Sequence, residues 1–328
     1  MTVINGVEVD NNPLYKPIIK DAIVNNDPIE EKLHVIAVIT NPCLFKKRYK
    51  LMNEFIQRME KEDDIILYIV ELAYKDQKYG ITDSENKNHL QIRTDCPLWH
   101  KENMINLGVK YLLPKNYKAF AWIDADLEFD SPSWAKDALK VLNGCKDIIQ
   151  LFSHCIDMDE NEDPMNIVNS GGYMHCSNKI YCSKGKNYWH PGYAWAITRK
   201  AYERIGGLFQ NGILGSGDYL MMMSVLRLAD KGIYKEFNKD YKNSILDFQK
   251  KAKHLRFGYV PGMIKHYFHG SKINRRYSDR HLILTKYDYS PLRDIEEDET
   301  GIIIPSPNFS EEFKKEISDY FWERNEDE

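Results

Sequence analysis

The first unbroken apolar run, Leu33 to Thr40 (LHVIAVIT), is of strand length and rich in β-branched residues, and predicts a buried strand. Asn41-Pro42 then turns the chain into a charged amphipathic stretch over about Lys46 to Glu60, spaced as a surface helix. Ile65 to Val70 is a second apolar run. Strand, helix, strand with a short loop at the strand's end is a βαβ unit, which implies a parallel sheet with a right-handed crossover. Leu90 to Thr94 predicts a third, short strand, and a helix is expected from about Leu98 to Leu113. Through Pro114 to Lys118 the chain enters Ala119 to Ile123 (AFAWI), a buried strand that stops on the carboxylates Asp124 and Asp126.

Beyond Asp130 the rhythm loosens. Trp134 to Leu142 is helical and Asp147 to Phe152 (DIIQLF) is apolar, but residues 157 to 188 form a long polar and aromatic segment without a clear period. Loops of that length inside a compact domain are usually functional. His190 to Ala196 returns to a strand-like run, and a helix over Arg199 to Ile205 ends at Gly206-Gly207. Gly215-Ser216-Gly217-Asp218 opens a Met-rich helix to Leu228, whose Met221, Met222 and Met223 read as core filling. From Phe257 an extended segment becomes basic and aromatic, and Phe313 to Trp322 predicts a short amphipathic helix before an acidic end. Residues 1–32, with Pro13, Pro17 and Pro28, read as an N-terminal extension that wraps the domain or is loosely held.

Composition narrows the function classes. At 328 residues the chain can bury a sizeable core, and 45 Lys+Arg against 49 Asp+Glu leave a net charge of −4, so no global field recruits nucleic acid or anionic membrane. Any basic surface must be local. Met1 to Asn12 lacks the apolar core of a signal peptide and no run reaches the roughly 18 apolar residues of a membrane span, so a cytoplasmic protein is expected. Six scattered cysteines without a CxxC pair predict reduced thiols, not a disulfide framework or a zinc site, and the Asn308-Phe309-Ser310 sequon reads as chance.

The chemistry concentrates at the end of the central strand. Asp124 and Asp126 flank small Ala125, and open α/β sheets bind ligands outside the carboxyl ends of their strands. A hard divalent cation, Mn²⁺ or Mg²⁺, would take such carboxylates together with substrate phosphates. The alternative is a solvated acidic turn, Asp124 to Asp130, capping the helix near Trp134. Thr40, Asn41 and Glu71, at the ends of the first two strands, are placed to meet a base or ribose. Lys101 and Asn106, at helical spacing with Trp99 and Asn103, would reach a nucleotide or its phosphates, unless they belong to an ordinary amphipathic helix with Trp99 in the core. Lys272, Arg275 and Arg276 would hold diphosphate oxygens, the alternative being a solvated basic loop. His190, Tyr193 and Trp195 offer flat faces for stacking on a sugar, although a core strand explains Trp195 equally well.

Five stretches in order, the strand ending in Asp124-Ala125-Asp126, the upstream LWHKENMIN (98–106), HPGYAWAITRKAYERIGGLF (190–209), GILGSGDYLMM (212–222) and HYFHGSKINRRY (266–277), resemble a GT-A-fold glycosyltransferase that uses a nucleotide sugar. The resemblance runs from about Leu33 to Arg280. It implies an α/β, Rossmann-like fold with a mixed, mainly parallel sheet flanked by helices. The implied organisation is the extension at 1–32, a domain at 33–285 divided into a nucleotide-sugar-binding half (33–130) and an acceptor-binding half (131–285), and a tail at 286–328. By resemblance Asp126 coordinates the cation directly, Asp124 meets the ribose or the metal through water, and a histidine, either His266 or His269, closes the metal site. The resemblance also places an acidic residue at Asp218, after the Gly215, Ser216 and Gly217 that let an acceptor approach the backbone.

A carboxylate in reach of an acceptor hydroxyl can take its proton during attack, which would invert the anomeric carbon. The simpler role for Asp218 is a helix N-cap. The implied donor is a UDP-sugar, and the implied acceptor a glycan, glycoconjugate or other hydroxyl-bearing substrate, with nucleic acid left open. A nucleotidyltransferase or phosphotransferase would want the same two carboxylates and metal, although the chain lacks a GxxxxGK[ST] loop. A non-catalytic carbohydrate- or nucleic-acid-binding protein of this fold is a third class, opposed by the Asp-x-Asp and Gly-Ser-Gly-Asp sequences.

Overall fold

Alternation of side chains along the strands organises the molecule. The computed structural model describes residues 2–4, 7–9, 16–185 and 187–328, so the expected N-terminal extension lies outside the described residues at 1, 5–6 and 10–15. Seven strands form a central sheet in the order Phe257–Tyr259, Ile148–Gln150, Ala194–Thr198, Ala119–Ile123, Leu33–Thr40, Ile65–Tyr74 and His89–Thr94. Every neighbouring pair is parallel except those of Ala194–Thr198, which runs antiparallel to both its neighbours. The fold is α/β with a mixed, mainly parallel sheet flanked by helices. Phe120 and Trp122 face one core with Ile36, Val70 and Trp195, while Ala119, Ala121 and Ile123 face the other with Val35, Ala37 and Ala196. A sheet buried on both faces needs apolar residues at nearly every strand position, which is why these strands read as continuous runs.

Helices Lys101–Tyr111, Gly217–Val225 and Lys239–Ala252 cover the first face; Lys46–Met59, Trp134–Leu142 and Pro17–Asn25 cover the second. Pro17 sits at the first helical position, where its missing N–H costs nothing. The chain after Pro17 is docked: Lys140 Nζ donates to Ile23 O at 2.8 Å and Asn26 Nδ2 to Lys140 O at 3.1 Å. At the other end, Tyr289, Ile303, Phe313 and Ile317 enter the first core, and the helix Glu311–Glu323 covers the expected 313–322.

Three expectations are corrected. The segment 157–188 is not one irregular loop: it contains the strand Pro164–Ser170, whose first half is exposed and whose second half is buried, and the helix Gly171–Cys176. The Met-rich helix stops at Val225, short of Leu228, because Arg227 adopts a left-handed conformation (φ 65°). Helix Lys239–Ala252 has no counterpart among the expected elements, although Tyr241, Ile245, Phe248 and Ala252 line its buried face at helical spacing. The six cysteines are free, and among the described residues no helix is long and apolar enough to cross a membrane.

A second, five-stranded sheet follows the order Trp189–His190, Pro164–Ser170, His154–Met158, Met263–His266 and Leu127–Phe129. Its last strand begins immediately after Asp126. The acidic turn at 124–126 is therefore the point at which the chain passes from one sheet to the other.

Candidate active site

Backbone pairing brings the acidic turn and the histidines together. Asp124 N–H donates to Tyr193 O at 2.9 Å, and Tyr267 N–H donates to Asp126 O at 2.9 Å. In the second sheet His266 is paired opposite Leu127 on one side and Asp157 on the other. Asp126 Oδ2 consequently lies 2.8 Å from His269 Nε2 and 3.7 Å from His266 Nε2. One ligand atom from each of Asp126, His266 and His269 falls within 4.8 Å of the others. His266 turns its other nitrogen, Nδ1, to Asp157 Oδ1 at 3.0 Å, and the Tyr193 hydroxyl donates to the same oxygen at 2.8 Å. A carboxylate behind a ligating imidazole fixes its ring and raises its basicity.

The electrostatics follow from burial and these pairs. Burial alone would raise Asp126, but His266 and His269 outweigh it and hold the carboxyl well below its ordinary range. Burial would likewise depress His266, yet Asp126 and Asp157 push it up to about 9. His269 is lowered, by burial and then by the neighbouring Arg275. Asp157 lies below the usual carboxylate range because His266 and Lys272 overcome its desolvation.

These residues fit a divalent cation. Asp126 Oδ1 is buried without a hydrogen-bond partner, and one carboxylate with two imidazoles is a mixed oxygen and nitrogen donor set that suits Mn²⁺ better than the all-oxygen preference of Mg²⁺. A cation held there would act as a Lewis acid on phosphate oxygens.

A second charged group stands beside it. Lys101 Nζ lies between Asp124 Oδ1 at 2.5 Å and Asp218 Oδ2 at 3.0 Å. Burial raises Asp124 to about 6 against the pull of Lys101, and the two carboxylates hold the ammonium well above its ordinary value in spite of burial. Beneath them Glu102 is pushed up to about 8 by desolvation and by Asp218. Gly215 and Ser216 both take left-handed conformations (φ 90° and 70°) before the helix starts. A Cβ on Gly217 would stand 2.2 Å from Glu102 Oε1, so only glycine fits there. Ser216 occupies the N-cap position and makes no side-chain cap bond, so Asp218 lies inside the first turn and is not the cap. Its Oδ1 is buried without a partner.

Asp124, Asp126, His266, His269, Lys101 and Asp218 line one cavity of about 800 Å³, together with Thr40, His190, Tyr193, Lys272 and Arg275. Thr40 Oγ1 meets the Tyr74 hydroxyl at 2.7 Å, and His190 stacks on Tyr193 with ring centroids 3.8 Å apart. Other expected residues lie elsewhere, each for a visible reason. Asn41 closes its own turn through Phe45 O (2.8 Å) and Phe45 N–H (3.0 Å). Glu71 accepts from Gly80 N–H at 2.8 Å and from the Thr82 N–H and hydroxyl at 2.8 and 2.7 Å, which makes it the anchor of that loop. Asn106 holds Leu208 by both its N–H (2.8 Å) and its C=O (3.1 Å), beside a separate surface groove. Trp195 belongs to the core, parallel to Trp122 at 6.0 Å and to Phe257 at 5.3 Å. Arg276 pairs with Asp279 and Glu323 at the surface.

Sequence reading missed Asp157, Glu102, Arg48 and the chain's last residues. Glu326, 1% exposed, accepts from Arg48 Nη2 at 2.6 Å and Arg324 Nε at 2.7 Å and approaches His269 Nδ1 at 3.8 Å. Asp327 accepts from the N–H groups of Lys46 and Lys47 at the start of helix Lys46–Met59. The tail thus forms one wall of the cavity.

No family model and no curated protein matches the chain. Solved structures that share the general arrangement include the Drosophila β-1,4-galactosyltransferase 7 with manganese, UDP-Gal and xylobiose (10% identity, TM-score 0.39, covering 84% of this chain and 93% of that one). A mannosyltransferase from Pyrobaculum calidifontis with GDP-Man and Mn²⁺ is similar at 14% identity and TM-score 0.43, covering 92% and 76%. A glucose-1-phosphate thymidylyltransferase from Bacillus anthracis is similar at 10% identity and TM-score 0.36, covering 72% and 89%.

Proposed function

We propose that the chain is a divalent-metal-dependent glycosyltransferase that moves a sugar from a nucleoside diphosphate donor, a UDP-sugar first among the candidates, to an acceptor hydroxyl with inversion. The observation that carries the reading is the pairing, within one cavity, of the Asp126, His266 and His269 cluster with the carboxylate of Asp218, which belongs to a different structural element. Diphosphate oxygens belong on the side of Asp126, where Lys272 and Arg275 add positive charge. The acceptor belongs on the side of Asp218. As the acceptor oxygen bonds to the anomeric carbon, its proton passes to the Asp218 carboxylate; the bond from that carbon to the phosphate oxygen breaks on the opposite face, and its electron pair leaves with the nucleoside diphosphate. Lys101 orients Asp218, and Asp124 holds Lys101 from the other side.

The test is nucleotide release from UDP-, GDP- and CMP-sugars with Mn²⁺ or Mg²⁺, in the native protein and in Asp218→Asn. General-base catalysis contributes on the order of 10²- to 10⁴-fold, so Asp218→Asn should slow transfer at least about a hundredfold while metal-dependent nucleotide binding and melting temperature hold. An unaltered rate with a lowered melting temperature would leave Asp218 a purely structural residue and remove the inverting assignment. Release of pyrophosphate from a nucleoside triphosphate and a sugar phosphate would replace the reading with nucleotidyl transfer.

A further inference from the structure

Asp218 opens onto an unusual concentration of one residue type. Tyr181, Tyr188, Tyr219, Tyr234 and Tyr277 all line the cavity, and they arrive from three separate segments. Each is placed by its own neighbours: Tyr181 meets Trp189 edge-on at 5.5 Å, and the Tyr219 hydroxyl donates to Lys231 O at 3.5 Å. Tyr219 is the residue next to Asp218, and Tyr188 meets His190 edge-on at 5.8 Å. Tyr234 stacks on His281 at 3.5 Å and Tyr277 lies under Arg280 at 5.1 Å, yet these two remain 41% and 56% exposed. Their rings are held in place and still present a face to solvent.

Resting on the glycosyltransferase reading, we propose that these tyrosines are the acceptor site and that the acceptor is a glycan of several sugar units, one end at Asp218 and the rest lying across the rings. Three observations lead to that class. Phenol rings offer a flat apolar face for the C–H side of a pyranose and a hydroxyl for its edge. Among the described residues, the cavity's carboxylates all have cationic or imidazole partners, Asp124 and Asp218 in Lys101, Asp126 in His269 and Glu326 in Arg48, so none stands free to recognise a cationic peptide. The aromatic lining also runs from Tyr219, next to Asp218 in the chain, to Tyr234 and Tyr277, which are exposed to solvent.

The experiment is titration calorimetry of the full chain, with UDP or GDP and Mn²⁺ present, against neutral hexose and pentose oligosaccharides of one to four units. Affinity should rise with length up to three or four units. Tyr234→Ala and Tyr277→Ala should each weaken the longer oligosaccharides roughly three- to tenfold, while Tyr234→Phe and Tyr277→Phe retain most of the affinity and both Tyr234 variants bind the nucleotide as before. Metal-dependent nucleotide binding with no gain from oligosaccharide length overturns this proposal and leaves the glycosyltransferase reading standing. Absence of nucleotide binding overturns both. Length-dependent binding that is indifferent to both alanine variants places the glycan elsewhere, and binding only of a lipid-linked sugar assigns the rings to an apolar acceptor instead.

Discussion

At the scale of single residues, His266 sets how the site responds to pH. Histidine titrates near 6.5 in an unfolded chain and His266 is pushed up to about 9 in the fold. Between those values the folded protein retains a proton that the unfolded chain has released. The stability that His266 contributes with Asp126 and Asp157 is therefore full below about pH 6.5 and is lost as pH rises through about 9. A cation must displace the same proton, so its apparent affinity should climb over that window. Melting curves from pH 6 to 9 should show the metal-free midpoint falling and the gain from Mn²⁺ growing. A gain from Mn²⁺ that is flat across the window would remove His266 from the ligand set. Glu102 gives a second residue-scale expectation. A carboxyl held neutral up to about 8 destabilises the fold progressively as pH rises from about 4.5, because only the unfolded chain ionises freely there. Glu102→Gln keeps the size and removes that ionisation, so it should raise the melting temperature, little at pH 5 and by several degrees at pH 8. An equal change at both values would mean that Glu102 is charged in the fold.

At the scale of elements, the tail and the glycine turn position the site from opposite sides. The backbone after Glu323 packs against Gly270, directly after His269: a Cβ there would meet Asn325 O at 2.9 Å. Glu326→Gln would leave the half-buried guanidinium of Arg48 and the buried one of Arg324 without their countercharge. Loss of one partner from a buried pair costs about 3–5 kcal/mol, so denaturant titration should show a lower midpoint at unchanged slope. An unchanged midpoint would mean that the tail is held by its apolar contacts instead. The strands and the first helices were legible because each is a local pattern, continuous where a strand is buried on both faces and periodic where a helix covers one. Asp126, His266, His269, Lys101 and Asp218 were legible as chemistry at strand and helix ends. Asp157 and Glu326 were not, because each acquires meaning from a partner 109 and 278 residues away. Asn41, Glu71 and Asn106 turn away from the cavity for the complementary reason: position at the end of an element does not set side-chain direction, and a loop with unsatisfied N–H groups claims the nearest acceptor.

At the scale of the molecule, the site exists because two sheets share one chain crossing. The central sheet ends at Ile123 and the second begins at Leu127, and the three residues between them carry both carboxylates. The second sheet then delivers Asp157 and His266 in register, and the helix starting at Gly217 brings Asp218 across the cavity. Under the proposed function metal and nucleotide binding would be interdependent, since diphosphate oxygens would complete a ligand set that the protein supplies only in part. A ligand that binds the folded state alone raises its stability by mass action, to about 2.7 kcal/mol at a hundred times its Kd. The most direct measurement is the thermal shift given by UDP, GDP and CMP with and without Mn²⁺, in the native protein and in Asp126→Ala. The account predicts that at least one nucleoside diphosphate stabilises the native protein only when Mn²⁺ is present, and that Asp126→Ala folds but loses the shift. Nucleotide stabilisation that is independent of Mn²⁺, or that survives in Asp126→Ala, would contradict it.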